Sequence, residues 1–118
     1  MAAPKADIYG IKNCDTMKKA RAWLDGAGVD YVFHDYKTEG ADPKKLKAWA
    51  KVVGWEVLLN RRGTTFRKLS DADKADIDEA KAIALMTRET SLIKRPVLEA
   101  AGRVTVGFKA ETYAALFG

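Results

Sequence analysis

One residue in this chain is a soft nucleophile. Cys14 is the only cysteine, and it lies in Ile8-Tyr9-Gly10-Ile11-Lys12-Asn13-Cys14-Asp15-Thr16-Met17-Lys18-Lys19. The stretch reads as a short apolar strand, a tight polar loop and then a basic helix. A helix start offers unpaired N–H groups and a partial positive charge. Both favour a thiolate, and cysteines so placed have pKa values depressed to roughly 3.5–7.5. Lys18 and Lys19 add positive charge nearby. A thiolate of this kind attacks disulfides and other oxidised centres. A lone cysteine is often no more than a small buried hydrophobe, but the polar neighbours Asn13, Asp15 and Thr16 do not suit the middle of a core strand. Asp15 or Thr16 is the expected cap, and an Asp15 carboxylate turned toward the sulphur would oppose its ionisation.

The other groups with chemistry are few. His34 is the only histidine. It stands in a strand-like run beside Asp35, and nothing in the chain order brings it to Cys14, so it reads as a partly exposed strand residue. No spacing suits a metal site, and no nucleotide-binding loop is present. There is no CxxC. With one cysteine an internal disulfide is excluded, so any redox cycle takes its second thiol from another molecule. Two arginine-bearing turns stand out, Asn60-Arg61-Arg62-Gly63-Thr64-Thr65 and Lys94-Arg95-Pro96. A guanidinium in such a turn can hold a carboxylate, an oxyanion or a thiolate. Gly63 allows either a close backbone approach or a positive φ.

Composition sets the frame for these residues. The chain has 118 residues, 47% hydrophobic and 31% charged, which fits one domain, residues 1–118. Its net charge of +5 is a mild bias toward anionic partners. Nucleic acid is not an expected partner, because the basic residues are not interleaved with exposed aromatics and no nucleic-acid-binding motif occurs. No apolar run approaches the ~20 residues needed to cross a bilayer, and Met1–Asp7 has no apolar core of signal-peptide length. A reduced, cytoplasmic home and a monomeric state are the default expectations.

The elements that must position these residues can be read in order. Residues 7–11 form a strand and residues 16–27 a helix. Met17, Ala20, Leu24 and Ala27 make the apolar face of that helix, Trp23 flanks it, and Gly26 and Gly28 mark its end. Residues 30–36 form a second strand, rich in aromatic and β-branched side chains. The strand–helix–strand order predicts parallel pairing. Asp42-Pro43 opens a helix with Leu46, Trp49, Ala50 and Val53 buried and Lys44, Lys45, Lys47 and Lys51 solvated. Ser70 caps further helical sequence that breaks near residues 76–78 and runs to about Arg88. A hairpin turns at Ala101-Gly102 between Val97–Ala100 and Arg103–Phe108. A helix from Glu111 closes the chain, with Tyr113, Leu116 and Phe117 inward. The result is an α/β protein with a thioredoxin-like plan. A βαβ half and a ββα half make a four-stranded mixed sheet, with an all-helical insertion at about 40–90.

Three segments together, Tyr9–Thr16, Leu59–Leu69 and Ile93–Pro96, keep an order and spacing that resembles the ArsC/Spx family over nearly the whole chain, most of all its YffB-like branch. The resemblance implies a thioredoxin-like fold with a helical insertion. It also implies a nucleophilic role for Cys14 and a cis peptide bond at Arg95-Pro96. It further implies a substrate-contact set of Lys12, Asn13, Arg62, Arg95 and Pro96, with Arg61 as the competitor of Arg62. In the arsenate reductases of the family the cysteine attacks arsenate, and glutathione and glutaredoxin complete the cycle. In YffB-like proteins the implied activity is that of a glutathione-dependent thiol reductase. Glutathione, with glutaredoxin as a second partner, is therefore the co-substrate the resemblance implies; no metal is implied. Spx-type members bind RNA polymerase instead, and many carry a CxxC that this chain lacks. The chain departs from the arsenate reductases in one place. They have a third arginine after the hairpin, where this sequence has Phe108 and then Lys109.

Overall fold

The computed structural model describes residues 6–117; of the N-terminal segment read above, residues 1–5 lie outside them. In chain order the elements begin with strand β1 (Ala6–Gly10), helix α1 (Asp15–Gly26), strand β2 (Tyr31–Asp35) and helix α2 (Tyr36–Glu39). Helices α3 (Pro43–Val53), α4 (Trp55–Leu58), α5 (Thr64–Arg67), α6 (Asp71–Lys74) and α7 (Glu79–Arg88) follow. A 3₁₀ turn (Thr90–Leu92), strands β3 (Val97–Ala100) and β4 (Arg103–Val106), and helix α8 (Ala110–Phe117) complete the chain. These elements fall into two compact units, one made of the chain up to Glu39 and from Arg95 onward, the other of Gly40–Lys94.

The first unit is a four-stranded mixed sheet in the order β2-β1-β3-β4. β1 and β2 are parallel, and β3 runs antiparallel to both β1 and β4. α1 is the crossover that makes the parallel pair possible. At the hairpin, Ala101 and Gly102 both take positive φ, 53° and 72°, the backbone a two-residue turn needs to follow the strand twist.

Side chains alternate across β1 and β3, so Ala6, Ile8, Leu98 and Ala100 share one face. They pack with Met17, Ala20 and Leu24 of α1, with Val29 and with Tyr113 of α8. Leu116 and Phe117 are partly buried against this cluster, as is Trp23, whose ring meets Tyr113 edge-on at 5.7 Å. Ala27, expected on the buried face, is exposed. The helix stops at Gly26, the chain turns through Gly28 at φ 70°, and Val29 enters the core in its place. The other face carries polar groups. His34 Nε2 lies 2.9 Å from Asp7 Oδ1, and the imidazole stacks on the Tyr9 ring at 4.4 Å and 12°.

β2 ends one residue before the sequence suggests. Asp35 Oδ1 accepts the Lys37 N–H, and Glu39 Oε2 accepts the Asp35 N–H. Such local side-chain bonds offer the backbone an alternative to the ladder, and Tyr36 begins α2.

The second unit is helical. Asp42 caps α3 by accepting the Lys44 N–H, with Pro43 in the first turn. Leu46, Trp49 and Ala50 are buried. Val53 and Lys45 are half-buried, unlike the exposed Lys44, Lys47 and Lys51. Gly54, at φ 91°, allows a sharp turn into α4. Ser70 caps α6 through the Asp73 N–H, and Asp78 caps α7 through the Lys81 N–H. Asp76, at φ 50°, is the break between them. The unit runs on to Lys94 because the chain after α7 pairs back: Lys94 N–H donates to Leu58 C=O, and Asn60 N–H to Leu92 C=O.

Candidate active site

Cys14 is the N-cap residue of α1, with extended backbone (φ −134°, ψ 127°). This corrects the expectation that Asp15 or Thr16 caps the helix: the helix begins one residue earlier, so Asp15 falls in its first turn and is exposed. No side chain caps α1, so the first amides are left facing the Cys14 sulphur. Gly10 is required just before the loop. A Cβ there would lie 2.9 Å from Met17 Cε and closer still to Sδ, and Met17 is fully buried. The missing side chain lets the first turn of α1 sit directly over the end of β1.

Partial burial of Cys14 pushes its thiol pKa up. The Met17 N–H, the Arg95 guanidinium as both hydrogen-bond donor and charge, and the Thr16 N–H act the other way. The second group wins, and the thiol is held below its ordinary value. The sulphur has no capping bond of good geometry, so the amides act as aligned dipoles rather than as a formal cap. The cation that matters is Arg95; Lys18 and Lys19 are exposed and do not figure among the leading influences on the sulphur.

The register explains how Arg95 reaches Cys14. Tyr9, near the end of β1, pairs with Val97, the first residue of β3. The chain leaving β1 toward Cys14 and the chain entering β3 through Arg95-Pro96 therefore share one end of the sheet. The Arg95-Pro96 peptide is cis. Pro96 is buried and Arg95 half-buried, while Lys12 and Asn13 are exposed in the loop before Cys14.

Arg62 belongs to the other unit. It is exposed, and its backbone N–H donates to Asn60 Oδ1 at 3.2 Å. Arg61 is also exposed, with its guanidinium 5.2 Å from the Trp55 ring centre. Gly63 is not in the left-handed region, at φ −78°; of its two proposed uses the close approach is the real one, since a Cβ there would meet Asn60 Nδ2 at 2.9 Å.

His34 takes no part. Its Nε2 faces Asp7 and its Nδ1 lies 3.5 Å from Glu39 Oε1. Phe108, where the arsenate reductases were expected to have an arginine, packs edge-on against Tyr113 at 4.8 Å. Among the described residues no group of His, Cys, Asp and Glu could hold a metal ion, and no helix is long and apolar enough to cross a membrane.

Sequence reasoning missed Tyr9, Tyr36 and Glu99; Tyr9, Glu99 and Arg95 all act on the Tyr36 phenol. Tyr9 donates its hydroxyl to Glu99 Oε1 at 2.8 Å, and its ring lies 6.5 Å from that of Tyr36. The one signal, for Tyr9 alone, is strand alternation, which puts Tyr9 and Asp7 opposite the core face.

A mixed β2-β1-β3-β4 sheet with a cysteine at the start of its first helix and a cis-proline before its third strand defines the thioredoxin-like class. Within it the chain belongs to the ArsC family, whose sequence profile matches residues 9–116. The solved YFFB protein is 59% identical, with a TM-score of 0.94 over 96% of this chain and 99% of its own. An arsenate reductase (ArsC) related protein from Brucella melitensis is 56% identical, with a TM-score of 0.74 over 96% of this chain and 94% of its own. An uncharacterised protein of Haemophilus influenzae is 39% identical over 93% of this chain and 96% of its own. More distant relatives include global transcriptional regulators Spx.

Proposed function

We propose that the protein is a thiol–disulfide oxidoreductase that uses Cys14 as its one nucleophile and glutathione as co-substrate. The observation that carries this reading is the Cys14 sulphur at the start of α1 with its pKa lowered by the Met17 amide and the Arg95 guanidinium. A lowered thiol pKa raises the fraction present as the thiolate, the form that attacks a disulfide. In the first step the Cys14 thiolate attacks one sulphur of a substrate disulfide. The new S–S bond joins Cys14 to that sulphur, and the other leaves with the electron pair as a thiolate. In the second step a glutathione thiolate attacks the sulphur now bound to Cys14. The Cys14 thiolate leaves, and Arg95 stabilises the charge that returns to it. Lys12, Asn13 and the Arg95-Pro96 backbone hold the peptide-like part of the co-substrate, and Arg62 contacts an anionic group. Glutaredoxin is a candidate second partner.

The test is the rate of Cys14 alkylation against pH, together with intact mass after incubation with glutathione disulfide. The expected result is a midpoint below the ordinary thiol range and a glutathione adduct that free glutathione removes. A midpoint near 8.5 with no adduct overturns the reading.

Arsenate reduction is the second reading, favoured by membership in the ArsC family. Here Cys14 would attack arsenate held by Arg95 and Arg62. Phe108 supplies no third cation, and Lys109 is a point charge rather than a fork. Turnover in an assay coupled to glutathione and glutaredoxin decides it, and a rate equal to the blank rejects it. A partner retained after Cys14→Ser, in the manner of the Spx regulators, would instead point to binding without catalysis.

A further inference from the structure

Tyr36 holds a polar group in an unusual state. The residue is 4% exposed, and among the described residues its hydroxyl has no hydrogen-bond partner. Buried polar groups are nearly always paired, and leaving one unpaired carries the cost of its desolvation. Such a group calls for an explanation from function. Its place in the fold offers one. Gly10 pairs with Asp35, so Tyr36 follows β2 at the same sheet end where β1 runs on to Cys14 and Arg95-Pro96 enters β3. Its ring lies beside that of Tyr9, whose hydroxyl is bonded to Glu99. Burial first, then the Tyr9 hydroxyl and the Glu99 carboxylate, hold the Tyr36 phenol far above the ordinary tyrosine range, against the opposing charge of Arg95. The phenol is thus a permanently neutral oxygen in the field of the same guanidinium that acts on Cys14.

We propose that Tyr36 is a positioning residue whose buried hydroxyl oxygen accepts an Arg95 N–H when Cys14 has become a mixed disulfide. This rests on the thiol–disulfide reading above. When the Cys14 thiolate attacks glutathione disulfide, the sulphur keeps the new S–S bond and the negative charge departs on the leaving glutathione thiolate. Arg95 then faces a neutral sulphur, which is a poor acceptor. The Tyr36 oxygen is an acceptor already desolvated and not engaged by any described residue of the reduced protein, so the hydrogen bond lowers the free energy of the mixed disulfide selectively.

The experiment compares the wild-type protein with Tyr36→Phe and Tyr113→Phe. Tyr113 is the control: its hydroxyl is also buried without a partner among the described residues, but its pKa is raised by burial alone, between Trp23 and Phe108. Each protein is equilibrated with mixtures of glutathione and glutathione disulfide, and the mixed-disulfide fraction is read by intact mass. For Tyr36→Phe the equilibrium constant should fall about fivefold, the worth of one ordinary hydrogen bond. Its Cys14 alkylation midpoint in the reduced state should stay unchanged, and Tyr113→Phe should match wild type in both. Equal constants for Tyr36→Phe and wild type overturn the proposal, as does an equal fall in Tyr113→Phe. A wild-type protein that forms no mixed disulfide instead overturns the thiol–disulfide reading beneath it.

Discussion

The Arg95 guanidinium acts on the Cys14 thiol both as a hydrogen-bond donor and as a charge, and so helps to hold its pKa below the ordinary value. The two residues come from opposite ends of the chain and meet because β1 and β3 pair antiparallel, with Tyr9 against Val97. Sheet register therefore brings the guanidinium to the end of the sheet where the thiol sits. A charge-assisted hydrogen bond of this kind is worth roughly 1.5–3 kcal/mol when buried, and less here because Cys14 is only partly covered.

Removing the guanidinium should return the thiol to ordinary behaviour. In Arg95→Gln the partial burial that raises the Cys14 pKa remains, and two of its opposing influences are gone. The alkylation midpoint should rise to about 8.5 or above, and the rate at pH 7 should fall several-fold. Arg95→Lys should recover part of the shift, as a charge without the fork. Iodoacetamide kinetics across pH 5–10 check this, and an unmoved midpoint in Arg95→Gln would show that the α1 amides act alone.

The same shift has a consequence for stability. A cysteine whose folded pKa is lowered is ionised in the native state at pH values where the unfolded chain still binds the proton. Stability then rises with pH between the folded value and about 8.5, is fully present above that, and is lost as pH falls through the folded value. Urea unfolding of the reduced protein should show this rise, and Cys14→Ser should lack it. Parallel curves for the two proteins would contradict a lowered thiol pKa.

Much of this site could be read in the residues themselves. Cys14 between a strand and a helix, and Arg95-Pro96 before a hairpin, are local patterns. The four strands and the mixed sheet followed from their residue types, from the tight turn at Ala101-Gly102 and from the one crossover helix. What could not be read depends on register or on competition between local bonds. Strand β2 looks as if it runs through Tyr36, but the carboxylates of Asp35 and Glu39 capture backbone N–H groups and start a helix. His34 reads as a lone strand histidine because its partner Asp7 lies in another strand. The orphan hydroxyl of Tyr36 has no signature in sequence at all, since it is defined by what surrounds it.

Gly10 is where packing and chemistry meet. In Gly10→Ala the new methyl would press on Met17 Sδ and Cε. Met17 is fully buried, so the first turn of α1 must shift. Overpacking of this sort costs typically about 1–3 kcal/mol. The Met17 amide, second only to burial among the influences on Cys14, would move with it. Gly10→Ala should therefore lower the unfolding midpoint and raise the alkylation midpoint together. Gly26→Ala, where a Cβ meets nothing within 4 Å, should do neither. A destabilised Gly10→Ala with unchanged thiol reactivity would separate the packing of α1 from its electrostatics.

The two arginines of the turn before α5 should behave differently. Arg61 has its guanidinium over the Trp55 ring, a contact worth about 0.5–1 kcal/mol at an exposed site. Arg61→Ala should thus lower stability slightly and leave turnover alone. Among the described residues Arg62 shows no such tie beyond its backbone bond to Asn60, and its exposed side chain is the one proposed above to meet an anionic substrate group. In a glutathione disulfide assay Arg62→Ala should raise KM about fivefold, the worth of one partly exposed charge-assisted bond. Its kcat and the Cys14 alkylation midpoint should not change, because uniform binding lost from ground state and transition state appears in KM alone. If Arg61→Ala instead raises KM and Arg62→Ala does not, the substrate role passes to Arg61, and the Trp55 ring becomes the platform that holds it.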